Sequence, residues 1–328
     1  MKLASIDITL FVVYVVALVG IAWWVSREKQ GHQKDTNDYF LAGSSLPWWA
    51  IGASLIAANI SAEQIIGMSG SGYQLGLAIA SYEWMAAITL VEPLQTYTAC
   101  PFSNLVIAGL RDMDAQRFGY DGLRGLNIQV IHDRAEDIDD AAHTLTLGSG
   151  QTLPYDRLVL SPGIDIRWNA LEGYDEFASD IMPHAWKAGP QTELLRQQLE
   201  AMEDGGTGIM SVPLAPFRCP PGPYERASLI AHYLKTAKPK SKLIVLDAKD
   251  EFSKKPLFLE AWAEHYPDHL EWVGASDFGR VISVDPSAMT LSTDFDTYTA
   301  SVANVIPPQK AGLIADRAGV VDETGWCP

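Results

Sequence analysis

Residues 8–25 form an uninterrupted apolar run, ITLFVVYVVALVGIAWWV, and no other feature constrains the fold of this chain more. At helical rise such a run extends roughly 27 Å, close to the hydrocarbon core of a bilayer. Only Lys2 precedes it as a cation, Trp23 and Trp24 close it as an interfacial pair, and no small-residue cleavage site follows. A spanning helix is therefore expected rather than a leader peptide. The polar stretch SREKQGHQKDTNDYF then brings Arg27, Lys29 and Lys34, the positive label of an inward-facing loop, which puts the N-terminus outside. Residues 46–91 are again apolar but broken by Ser61, Ala62, Glu63 and Gln64 and by glycines at 67, 70, 72 and 76. An interrupted hydrophobic segment points to a transporter site, because freed carbonyls there can hold a cation. A buried helix pair with satisfied polar groups is the other reading of Glu63, Gln64 and Glu83.

Charge marks a boundary near residue 91. Up to that point the chain has four Lys/Arg and six Asp/Glu; beyond it, twenty and thirty-four. A net charge of −16 excludes a nucleic-acid partner, and three cysteines are too few for a disulfide scaffold. No metal site is expected: His265 and His269 flank Asp268, but Pro267 lies between them and spoils helical spacing.

From ITLVE onward short strands alternate with helices, the pattern of dinucleotide-binding folds. Strands are expected at 127–133, 206–213 and 240–250, a meander with a Gly-Ser-Gly turn over 142–163, and a helix over 192–202. Between two of these strands lies PFRCPPGPYERA, residues 216–227, with apolar Ala227, Ile230, Ala231 and Leu234 at helical spacing after it. Strand, loop, helix, strand and acid (Asp247) make a βαβ nucleotide unit, yet prolines stand where glycines should cradle a pyrophosphate. A nicotinamide dinucleotide is not expected there. Cys219, at a helix start between Arg218 and Arg226, is placed to ionise easily, and a second cysteine, Cys327, ends the chain in GWCP. Each also has an inert reading, and Glu225 has one as a helix-capping acid.

The stretch DYFLAGSSLPWWAIGASLIAANISAEQIIGMSGSGYQLGLAIASYEWMAAITL resembles the start of bacterial sodium/galactose symporters of the solute:sodium symporter family. The resemblance covers roughly residues 6–90. It implies sodium-binding carbonyls at Ala57 and Ile60, sugar contacts at Gln64 and Glu83, and a gate at Met68 and Tyr82. Symporters have more than a dozen helices, whereas about three are expected here, so transport is not.

VEPLQTYTACPFSNLVIAGLRD, YDRLVLSPGIDIRW, PHAWKAGPQTELLRQQLE, PFRCPPGPYERASLIAHYLK, VIPPQKAG and GWCP resemble the flavoprotein subunit of flavocytochrome c sulfide dehydrogenase, a relative of sulfide:quinone oxidoreductases. That resemblance implies an α/β FAD/NAD(P)-binding-type fold whose first Rossmann unit is incomplete, behind a transmembrane segment of about three helices. It implies a redox disulfide between Cys219 and Cys327, Glu225 as acid/base, and FAD carried covalently by Cys100. Glu92 would bind the ribose, and Ser161, Pro162 and Gly163 would lie near the flavin. Sulfide would be the substrate and a cytochrome c subunit the partner. Periplasmic placement, usual for such enzymes, conflicts with three spans that leave residue 92 inside. The expected domains are 1–90 and 91–328, joined at ITL, and three functions stand: a sulfide dehydrogenase flavoprotein, a symporter fragment, or an inactive chimeric reading frame.

Overall fold

The computed structural model describes residues 88–126 and 128–328. The expected spanning helices lie outside those residues, as do Ala57, Ile60, Gln64, Met68, Tyr82 and Glu83. Among the described residues no helix is long and apolar enough to cross a membrane.

The described chain opens with β1 (Thr89–Val91), β2 (Tyr97–Thr98), α1 (Ser103–Ile107), β3 (Arg117–Phe118), α2 (Asp121–Arg124) and β4 (Gln129–Ile131). β1 lies parallel to β4, with Thr89 opposite Gln129 and Val91 opposite Ile131, so Glu92 stands at a strand's carboxyl end. An antiparallel meander follows: β5 (Ala135–Asp139), β6 (Thr144–Leu147) and β7 (Thr152–Pro154). β6 and β7 flank the expected turn, where Gly150 takes φ +86°, a conformation glycine reaches without steric cost. β5, with the sequence AEDID, carries no apolar signal. LVLSPG forms no regular element, and Val159 is 84% exposed.

The second part runs β8 (Ile164–Ile166), α3 (Pro190–Ala201), β9 (Thr207–Val212), α4 (Gly222–Ala237), β10 (Lys242–Asp247), α5 (Lys255–His265) and β11 (Leu270–Val273). It continues with β12 (Val281–Asp285), β13 (Thr290–Thr293), β14 (Thr297–Thr299), β15 (Val302–Val305), β16 (Gln309–Ala311) and α6 (Leu313–Arg317). Four strands form a parallel sheet in the order β11–β10–β9–β15. Successive strand residues point to opposite faces, and both faces are covered. Met210, Val212, Leu243, Val245 and Val302 pack with Leu195 and Leu199 of α3 and Ala227, Ile230 and Leu234 of α4. Ile209, Ile244, Leu246, Ala303 and Val305 pack on the other side with Val284 and Leu291 of the β12–β13–β14 meander and with Tyr174 and Met182. Burial on both faces is why GIMSV and LIVL read as continuous apolar runs. Each large aliphatic side chain so buried contributes roughly 1.5–3 kcal/mol.

β16 pairs antiparallel with β8 and returns the chain to the start of this part. The tail beyond α6 lies along that pair: Ala311 donates its amide to Gly325 (2.9 Å), and the Arg167 guanidinium donates to Gln309 O (2.9 Å) and to Thr324 O.

Candidate functional site

Cys219 occupies the turn that feeds α4. Its φ is +60°, left-handed and unusual for a residue with a Cβ, and its carbonyl accepts the Gly222 amide at 2.8 Å. Such a backbone is held only where its surroundings over-determine it, at a cost of order 1–3 kcal/mol. The prolines supply that rigidity, and Gly222 is needed for closeness, since a Cβ there would stand 3.0 Å from Trp186 and 3.1 Å from Cys219 Sγ. The surroundings push the thiol up rather than down, contrary to the sequence expectation. Cys219 is exposed, yet partial desolvation of its sulfur comes first and the Glu225 carboxylate second in pushing the thiol up, outweighing the Gly222 N–H and Arg218, which pull it down. Glu225 itself is exposed in the first turn of α4.

Two long-range contacts bring Cys100 to this turn. Arg218 Nη2 donates to Cys100 Sγ at 3.0 Å, across 118 residues of sequence. The same guanidinium donates to Trp186 O, and the Arg218 amide donates to Gln309 Oε1 at 3.0 Å. From α1, Asn104 donates to Gly222 O at 3.4 Å. The Cys100 segment is braced by buried Gln116, whose amide donates to Ala99 O (3.1 Å) and Pro101 O.

Arg226 behaves differently from the flanking cation the sequence suggested. It is 2% exposed and turned into the protein, donating to Asn104 Oδ1, His184 O, Asn304 Oδ1 and Ala185 O, with the Trp186 ring 4.9 Å from its carbon. A polar residue on a largely apolar helix face was the only sequence signal for this.

Asp247, at the carboxyl end of β10, has the position at which a dinucleotide-binding unit keeps its ribose acid. Here it is fully buried and saturated. It accepts from Tyr224 Oη (2.7 Å), Trp272 Nε1 (3.2 Å), the Lys249 amide (3.1 Å) and Lys249 Nζ (2.6 Å). Burial, and after it Asp247, pushes the Tyr224 hydroxyl far up, so it stays a donor.

A cleft of ≈ 400 Å³ opens at the carboxyl ends of the parallel strands, the usual ligand side of such a sheet. Ala215 and Pro216 of the Cys219 loop line it, and so does Trp326, the neighbour of Cys327. Cys100, Cys219 and Cys327 are all free thiols, so the implied Cys219–Cys327 bond is not formed here. Ser161, Pro162 and Gly163 are exposed. The Gly163 carbonyl accepts the Gly312 amide at 3.0 Å, and a Cβ on Gly312 would stand 2.7 Å from Pro162. Glu92 accepts the Leu94 amide at 2.9 Å. Among the described residues no cluster of His, Cys, Asp and Glu could hold a metal ion.

At its ring end, a flavin matches what is present. Gly163 at φ +72° has open space where a Cβ would stand, β8 and β16 link that loop through Gln309 to Arg218, and buried Trp186 Nε1 has no partner.

Comparisons divide the chain in two. The model of the sulfide dehydrogenase [flavocytochrome c] flavoprotein chain, central region, matches residues 192–307. That of the sodium:solute symporter family matches residues 39–131, a match whose last part falls on β1 to β4. A sodium/glucose cotransporter of Vibrio parahaemolyticus is 72% identical over 89 residues, 27% of this chain and 16% of that protein. Sodium/glucose cotransporter 4 of Danio rerio is 41% identical over 90 residues, 27% of this chain and 13% of that protein. The chain thus spans under a fifth of these curated relatives.

Among solved structures, the sulfide:quinone oxidoreductase of Aquifex aeolicus aligns with a TM-score of 0.61 at 21% identity, over 76% of this chain and 60% of that one. A ferredoxin reductase of Rhodopseudomonas palustris aligns at 0.55 and 16%, over 77% and 60%. The described fold is that of FAD/NAD(P)-binding oxidoreductases. Similarity passes from a symporter family to a flavoprotein family along one chain, which is in that sense chimeric.

Proposed function

We propose that the part beyond residue 91 encodes flavin-dependent sulfide oxidation, with Cys219 and Cys327 as the redox pair and a cytochrome c subunit as electron acceptor. The observation that carries this reading is the shared cleft: Ala215 and Pro216, on the loop leading to Cys219, and Trp326, next to Cys327, line it together. The match to a sulfide dehydrogenase flavoprotein chain over residues 192–307 supplies the substrate class. Hydrosulfide attacks one sulfur of the oxidised pair; the S–S bond breaks, leaving a persulfide on one cysteine and a thiolate on the other. Glu225 would take up or return the proton. As the thiolate and the deprotonated persulfide join into a trisulfide, bound FAD would accept the two electrons given up and release them singly. Ser161, Pro162 and Gly163 would hold the ring, Glu92 the ribose, and Cys100, with Arg218 on its sulfur, the covalent link. Periplasmic placement and attachment through residues 1–90 belong to the same proposal.

The test is anaerobic sulfide addition to the full chain reconstituted with FAD. Bleaching of the flavin band that is lost in Cys219→Ser and Cys327→Ser is expected; an unbleached wild type sinks the reading. The change of family within the chain favours a second reading, an inactive chimeric reading frame. Sodium-dependent sugar transport, with sodium held at Ala57 and Ile60, is the alternative for the first part. It would show as sodium-driven sugar uptake in vesicles.

A further inference from the structure

Arg167 follows β8 directly, and both oxygens its guanidinium reaches belong to the main chain. Nε donates to Gln309 O at 2.9 Å, and Nη2 donates to Thr324 O. No Asp or Glu pairs with it among the described residues. The planar fork is therefore used for its shape rather than for its charge. Its base is fixed as well, since the Arg167 amide donates to Pro308 O at 2.9 Å.

The two oxygens it joins belong to separate segments. Thr324 stands three residues before Cys327 on the tail. Gln309 stands in β16 opposite Ile166, and its side chain, 2% exposed, serves the Cys219 loop. Its Oε1 accepts the Arg218 amide at 3.0 Å, and its Nε2 donates to Pro307 O at 3.4 Å. A backbone N–H can only donate, so the Gln309 atom facing Arg218 is the amide oxygen. One hydrogen-bonded path thus runs from Arg218, beside Cys219, through the side chain and carbonyl of Gln309 to Arg167 and on to Thr324. The tail closes on the same place. Ala311 donates to Gly325 O and the Gly325 amide to Asp322 O, each at 2.9 Å. Gly325 has φ +77°, and a Cβ there would collide with Arg167 Nη2, so glycine is what lets the tail lie against the guanidinium. Cys219 and Cys327 are both exposed and unbonded. A disulfide needs a Cα separation of about 4.4–6.8 Å, so cysteines on two separate exposed segments require a common reference.

We propose that Arg167 and Gln309 form a bracket that holds the Cys219 loop and the Cys327 tail in one register. They are positioning residues that act through the main chain and touch no substrate. As a device for the reaction, the bracket rests on the reading of Cys219 and Cys327 as the redox pair. Its existence requires neither sulfide nor flavin.

Two measurements on the full chain in detergent test it. Hydrogen exchange at Ala311, whose amide the tail covers through Gly325 O, is followed by fragmentation mass spectrometry. The Cys219–Cys327 bond is followed by peptide mapping in glutathione buffers, where each bond formed consumes one oxidised glutathione and releases two reduced. Arg167→Gln speeds Ala311 exchange about ten-fold and lowers the equilibrium constant of the bond about ten-fold or more. Arg167→Lys keeps the charge but has no fork, so it restores neither. Gly325→Ala, a change confined to the tail, gives the same two effects should Arg167→Gln fail to fold. Gln309→Leu keeps its carbonyl on Arg167 but releases Arg218, so it weakens the bond while Ala311 exchange stays slow. Unchanged exchange and bond constant in folded Arg167→Gln or Gly325→Ala overturn the proposal, as does full rescue by Arg167→Lys. A wild type that forms no Cys219–Cys327 bond at any glutathione ratio ends the redox-pair reading. The bracket then stands if Arg167→Gln speeds Ala311 exchange and falls if it does not.

Discussion

Cys219 shows how far a residue's neighbours in sequence misstate its surroundings. Two flanking arginines and a helix start suggested an easily ionised thiol, but Arg226 turns inward and partial desolvation with Glu225 pushes the thiol up. The sequence does not show the partial desolvation of this exposed sulfur, which is the larger effect. Cys100 is the opposite case: nothing local marks it, and its guanidinium partner lies 118 residues away. If Cys100 carries flavin, yellow colour survives acid precipitation of the reconstituted chain and is lost in Cys100→Ser; colour that washes out of the wild type ends that assignment. His184 yields a pH prediction. Its folded pKa, about 4, lies below the ordinary value of 6.5, so in that window the unfolded chain binds more protons and acidification destabilises the fold. Between pH 7.5 and 5 this one group should remove about 2 kcal/mol. Urea unfolding of wild type and His184→Asn, whose side-chain oxygen still accepts the Trp186 amide, should differ in pH dependence by that amount. Parallel pH profiles refute it.

At the scale of elements, β9, α4 and β10 were legible because burial on two faces gives continuous apolar runs and burial on one helix face gives 3.6-residue spacing. β5 and the β12–β14 meander were not: AEDID is mostly acidic, and VISVD, TLST and TYT are short, half-exposed and rich in polar residues, so neither signal shows. Leu234 tests the helix–sheet packing: fully buried in α4, it should cost about 2–5 kcal/mol when cut to alanine, measured by denaturant unfolding. Asp247 tests the altered nucleotide unit. Its removal leaves the Tyr224 hydroxyl and the Trp272 indole without an acceptor and Lys249 Nζ with Pro213 O alone, so Asp247→Ala should lose about 3–5 kcal/mol. Because four donors already fill that carboxylate, NADH should neither bind nor reduce the protein; a saturable quench of tryptophan fluorescence by NADH would contradict this.

For the molecule as a whole, charge composition changes near residue 91, but the relation between the two parts is a matter of ancestry that no periodicity encodes. Amplification across Leu90–Val91 from source DNA should yield a single product if the chain exists as one gene, and none if it does not. The described part has its own consequence. Its thiol site is closed by contacts from Asn104 to Gly222 and from Arg218 to Cys100, each spanning more than a hundred residues. Translation at ordinary speed leaves roughly 6–24 s between the emergence of residues 100 and 218. Throughout that interval Cys100 is a bare thiol on a nascent chain, open to any oxidant or metal it meets. The order of synthesis, as much as the finished geometry, therefore decides in what chemical state this sulfur reaches its arginine.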